Sequence, residues 1–149
     1  RLAGRMKQIV IIAGLLVIPC LISLVTGSDV DWAGHLGLAL VFAFAALGHF
    51  ARTDAMAQMI PPSVPQRRVL IQISGVFELA MAILVLAWPN SRLVGFVMIG
   101  FLIAVFPSNV YAAMRRVEFG GHSAGPRYLI LRAPLQLLLI LWVYWFVLE

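Results

Sequence analysis

The residues of this chain fall into five long runs that are almost free of charge. Residues 8–28 (21 residues), 32–51 (20) and 93–114 (22) carry no formal charge, residues 69–91 (23) carry only Glu78, and residues 128–148 (21) carry only Arg132. An α-helix rises about 1.5 Å per residue, so about 20 residues cross the ~30 Å of hydrocarbon in a bilayer. Each run therefore reads as one crossing. Only 11% of the 149 residues are charged and 62% are hydrophobic, whereas soluble domains carry about 25% charged residues. That leaves too little polar surface to coat a water-facing globule. The expected fold is an all-α integral membrane protein with five transmembrane helices in a single membrane domain, residues 1–149.

The first run competes with a signal-peptide reading, because Arg1, Arg5 and Lys7 precede it. Its apolar stretch exceeds the usual 7–15 residues and holds Pro19-Cys20 at its middle, which favours a retained helix. A start at Arg1 rather than Met suggests that the native N-terminus was trimmed or lies upstream. Orientation follows from the basic residues. With a cytoplasmic N-terminus, the inner segments hold Arg1, Arg5, Lys7, Arg52, Arg67, Arg68, Arg115, Arg116 and Arg127, and the outer ones only Arg92. This bias is lost if any one helix is deleted, and it places the C-terminus outside. The net charge of +5 thus serves orientation, and nucleic acid is not an expected partner. Trp32, Trp88, Tyr128, Trp142, Tyr144 and Trp145 sit where interfacial aromatic belts are expected.

The connections leave little room for an extramembrane site. The turns at Gly27–Asp31 and Pro89–Arg92 are tight. The inner loop Ala51–Arg68 contains Pro61, Pro62 and Pro65, and Thr53 is placed to cap a short interfacial helix, Asp54–Met59, with Met56, Met59 and Ile60 in lipid. The loop Val117–Pro126, with Gly120-Gly121 and Gly125-Pro126, reads as mobile. Gly100, Ala104 and Ser108 form a small-residue stripe on the fourth helix, and Gly34, Gly37 and Gly48 are candidates for close packing on the second.

Function must come from polar residues that are costly to keep in lipid. Glu78 lies ten residues past Arg68, or ~15 Å deep. An unpaired carboxylate there costs several kcal/mol, roughly 3 on insertion scales. Arg132 lies about 7.5 Å in from Arg127, Gln136 one turn deeper on the same face, Asn109 about 9 Å from Arg115, and His49 about 4.5 Å from Arg52. Gln72 lies one turn from Arg68. These six come from four helices and all fall in the cytoplasmic half, so they are expected to form one polar cluster or a cavity opening to that side. A Glu78–Arg132 ion pair is the natural neutralisation. Bland readings stand beside this one: Arg132 snorkels to phosphates, Glu78–Arg132 is structural glue, and Asn109 and Gln136 repair the backbone bonds lost at Pro107 and Pro134.

The stretch GHFARTDAMAQMIPPSVPQRRVLIQISGVFELAMAILVL, followed by FPSNVYAAM and LRAPLQLLLILW, resembles the DoxX-like (DoxX/DoxD) family of small bacterial integral membrane proteins. The shared patterns mark His49, Pro61 and Pro62, Ser74, Gly75 and Glu78, Pro107 and Asn109, then Arg132, Pro134 and Gln136, across residues 33–147. The resemblance implies a DoxX-like four-helix core over residues 32–149 with an additional N-terminal helix over residues 8–27. It also implies the bacterial cytoplasmic (inner) membrane and a redox-associated setting that includes thiosulfate and quinone chemistry.

Self-contained redox or metal chemistry is not expected. Cys20 is the only cysteine, and of the three histidines His35 and His49 lie at opposite ends of one helix while His122 falls in a loop. No cofactor and no metal site is expected. Three functions remain open: a binding module for a quinone or lipid-like ligand, an accessory subunit of a larger membrane complex or a homo-oligomer, and a proton-coupled carrier or enzyme using Glu78.

Overall fold

The computed structural model describes residues 2–149, with side chains from Met6 onward. Arg1 and the Arg5 side chain lie outside the described residues. The helices are α1 (Leu2–Thr26), α2 (Val30–Ala51), α3 (Thr53–Ala57), α4 (Arg67–Ala87), α5 (Arg92–Met114) and α6 (Leu129–Val143). A 3₁₀ segment, His122–Tyr128, precedes α6, and a π-helical turn, Tyr144–Leu148, extends it. No strand occurs among the described residues. Five segments are long and apolar enough to cross a membrane, namely Met6–Thr26, Val30–Ala51, Arg67–Ala87, Arg92–Met114 and His122–Leu148. The five uncharged runs are thus five helices.

Short turns enforce the up-and-down course. Gly27 takes the left-handed conformation (φ 71°) after α1, and the Ser28 N–H reaches back to Ser23 O at 3.0 Å. This is the usual glycine-terminated helix end. Asp29 then caps α2, its carboxylate accepting from the N–H groups of Asp31 and Trp32 at 2.9 and 3.1 Å. Asn90, also left-handed (φ 63°), turns the chain between α4 and α5.

Helix α2 packs most extensively, against α4 on one side and α1 on the other. Ile71, Gly75, Glu78, Ala82 and Val85 recur at helical spacing and form the buried face of α4. The first helix packs into the same hydrophobic core as the other crossings. Leu16 of α1 is 0% exposed and joins Leu38, Val85, Met98 and Val143 in one hydrophobic core. Gly37 makes this approach possible, because a Cβ there would strike the Leu16 carbonyl oxygen. Gly34 lies equally close under the Phe146 ring. Gly48 and Gly100 have open space instead, and Gly100 and Ala104 are exposed. Gly100 and Ala104 of the α5 stripe thus face outward, while Ser108 is half-buried and turns to the interior.

Three loop and belt expectations also change. Helix α3 stops at Ala57, and the Thr53 hydroxyl donates back to His49 O at 2.7 Å rather than capping α3. Met59 is buried against Ala112 and Val117 instead of entering lipid, because the prolines fold the loop under the bundle. The segment after α5 is also built in: His122, Gly125 and Tyr128 are buried, with Gly125 at φ 77°. Trp32, Trp88, Tyr144 and Trp145 are exposed as a belt requires, whereas Tyr128 is 3% exposed and Trp142 donates to Gly34 O at 3.2 Å.

A polar cavity at the basic end of the bundle

Where α2 ends and α4 begins, the helices enclose a cavity of about 380 Å³, within the usual range for small-molecule sites. Arg52, Arg67, Arg68, Arg115, Arg116 and Arg127 flank the helix ends on this side. Phe44, Leu47, Met56, Met59, Ile60 and Val105 supply apolar wall. His49, Ser74, Glu78, Ser108, Asn109, His122 and Arg132 supply polar wall.

Gly75 positions the first polar pair. Its missing Cβ would stand 2.7 Å from the His49 Cβ, so α2 and α4 touch at this point. The His49 Nδ1–H can then donate to Ile71 O at 2.7 Å, which turns Nε2 toward Glu78. His49 Nε2 and Glu78 Oε2 lie 3.2 Å apart. Oε2 is buried and makes no well-formed hydrogen bond. Glu78 is only 8% exposed.

Asn109 organises the second group. Its Nδ2 donates to Val105 O at 3.2 Å, and its Oδ1 accepts from Arg132 Nε at 3.2 Å. The carbonyl that Pro107 leaves without its helical partner is that of Ile103, four residues back, so the Asn109 amide is not repairing that bond. The same Oδ1 lies 3.3 Å from His122 Nε2, and His122 Nδ1 lies 2.7 Å from Phe119 O. Both ring nitrogens of His122 therefore face oxygens. His122 is 2% exposed and stacks edge-on against Tyr128, with ring centroids 4.8 Å apart.

Of the six sequence-predicted site residues, His49, Glu78, Asn109 and Arg132 converge on the cavity. Gln136 is buried but turned to α5, where its amide donates to Leu102 O, so it bridges helices outside the cavity wall. Gln72 is exposed on the opposite face of α4 from Glu78 and is not part of the cluster. The expected Glu78–Arg132 ion pair is absent: Glu78 is within ion-pair distance of His49, and Arg132 bonds Asn109. His122 and the α1 residues Gln8 and Ile12 also line the cavity and were not expected there, and Ser74 and Ser108, marked by the family pattern and the small-residue stripe, join them. His122 was hidden by its loop position. The signal that points to it is the following Gly125-Pro126-Arg127-Tyr128 stretch, in which a buried aromatic closes the segment against the bundle. No cluster of three or more His, Cys, Asp or Glu suited to a metal occurs among the described residues.

A second groove, about 420 Å³, lies between α1 and α2 near Trp32. It is mainly apolar, and its buried Ser23 hydroxyl already donates to Ser28 O at 2.8 Å.

No curated protein and no solved structure matches the chain. A family model does, over residues 38–147, a span that runs from the middle of α2 to the end of the last crossing and contains His49, Glu78, Asn109, His122 and Arg132. The chain belongs to the family described as Domain of unknown function (DUF8561).

Proposed function

We propose that this protein is a membrane-embedded binding module whose cavity takes a small amphipathic molecule, quinone-like or lipid-like. The observation that carries this reading is the Glu78 carboxylate, buried in a membrane-spanning helix with one oxygen lacking a hydrogen bond, beside a 380 Å³ cavity. An acid held at that cost is a site for a ligand or proton by default. The apolar walls suit a hydrocarbon body, and the polar groups converge on one side to fix a head group. The resemblance to DoxX-like proteins supports a quinone or related lipid-soluble compound among the candidates, and a place in the bacterial cytoplasmic membrane. The basic end then faces the cytoplasm, with the N-terminus inside and the C-terminus outside.

The test is thermal unfolding in a maltoside detergent, followed by the fluorescence of the four tryptophans. Decyl-benzoquinone and dodecyl phosphate are the probes. At least one of them should raise the wild-type midpoint, and Glu78→Gln should weaken that gain while the protein remains folded. If neither probe stabilises the wild type, and a fixed partner subunit co-purifies regardless of Glu78→Gln, the chain is an accessory subunit instead.

A further inference from the structure

We infer that the head group held in this cavity is an oxyanion, so that the ligand is an anionic amphiphile such as an alkyl phosphate or carboxylate. This inference rests on the binding-module reading and names the chemistry of the ligand. It follows from the charges in the cavity wall. His49 and Glu78 approach within 3.2 Å, so the Glu78 carboxyl is turned to His49 rather than to Arg132. Arg132 then has no carboxylate within ion-pair distance among the described residues. Among the described residues the two ion pairs are His49–Glu78 and Arg68–Asp54, and neither involves Arg132. The guanidinium carries a full charge at any accessible pH. It stands in a membrane-spanning segment and lines the cavity, where a lone cation is costly.

The hydrogen bonds around it point the same way. Asn109 Oδ1 takes the Arg132 Nε–H, which fixes the plane of the guanidinium. Its terminal nitrogens make no well-formed hydrogen bond among the described residues, and the Tyr128 hydroxyl, itself without such a bond, lies beside them. A fork held at Nε is the arrangement that receives a carboxylate or phosphate through two parallel hydrogen bonds. His122 supports this arrangement, with its Nδ1 facing Phe119 O and its Nε2 facing the same Asn109 Oδ1 that holds Arg132. The Ser74 and Ser108 hydroxyls also line this cavity. Phe44, Leu47, Met56 and Met59 then require the rest of the ligand to be apolar, which separates an amphiphile from a free anion.

The experiment compares dodecyl phosphate, inorganic phosphate and decyl-benzoquinone on the intact chain in a maltoside detergent, read as shifts of the thermal midpoint with concentration. Dodecyl phosphate is expected to stabilise the wild type most strongly, and Arg132→Gln to weaken it by about tenfold or more. Asn109→Asp is the second variant. It keeps the size of the side chain and offers Arg132 a carboxylate, so the fold should survive while dodecyl phosphate binding falls and decyl-benzoquinone is unaffected. If decyl-benzoquinone stabilises and dodecyl phosphate does not, the oxyanion inference is overturned and the binding-module reading stands. If inorganic phosphate matches dodecyl phosphate, the ligand is not an amphiphile and both fall. Dodecyl phosphate binding unchanged in both variants also removes the inference, because Arg132 would then not be its receptor.

Discussion

The two ends of this bundle are held together in different ways. Toward the end where α2 begins and the chain finishes, backbones approach closely. Gly37 lies against the Leu16 carbonyl, Gly34 and Gly95 lie under Phe146 and Leu148, and Trp142 ties α6 to Gly34 O. Leu38, Val85, Met98 and Val143 fill what remains without exposure. At the basic end α2 and α4 still touch at Gly75, but a cavity opens beside them, and side-chain polar groups line it. His49 reaches from α2 to α4, while Arg132 and His122 both reach Asn109 on α5. Lipid offers no hydrophobic drive for helix association, so close packing of small residues and interhelical hydrogen bonds are the available means. The first half uses mainly the former and is filled. The second uses the latter and leaves room for a guest.

That contrast can be broken at its strongest point first. Gly37→Leu should cost about 3 kcal/mol or prevent folding, because the obstacle is backbone rather than a movable side chain. Chemical unfolding in mixed micelles measures it, and a neutral result would mean that α1 is not seated on α2 as described. At the polar end, Asn109→Leu should cost about 2 kcal/mol by stranding both Arg132 Nε and His122 Nε2. The same unfolding assay reads it, and a stabilising outcome would show that the cluster is not a hydrogen-bonded unit. Gln136→Leu removes one bond between α6 and α5, for which about 0.6 kcal/mol is typical within membranes. It should leave ligand-induced thermal shifts intact; their loss would bring Gln136 into the site. Gly100→Leu should change stability by less than about 0.5 kcal/mol, since a side chain there meets open space. A large loss, or a change of oligomeric state by native mass spectrometry, would mean that the outward part of the α5 stripe packs against another chain.

Residue-level comparison shows where sequence reasoning stopped. Glu78, Asn109, His49 and Arg132 were found by depth alone, because a polar residue in an apolar run is conspicuous and its distance from the nearest arginine is arithmetic. Gln72 had the right depth and the wrong face. It stands six residues before Glu78, about 600° around the helix and so roughly 120° away. His122 had no depth to compute, because a loop has no fixed rise per residue, and its burial depends on how Gly125 turns the chain. The pairing of Glu78 was misassigned because the sequence holds one obvious cation in the last helix. The nearer partner is the histidine that Gly75 lets in.

What the sequence determined by itself was the number of crossings, the basic end, and the membership of most of the polar cluster. Those follow from solvation, since charge is excluded from hydrocarbon wherever the chain folds. Only the tertiary structure decided which polar group meets which. Pairing depends on where backbones can touch, at Gly37 and Gly75, and on the side of each helix that a residue occupies. That is why His49 meets Glu78 while Arg132 meets Asn109 at the cavity wall, an arrangement no spacing of charges along the chain could specify.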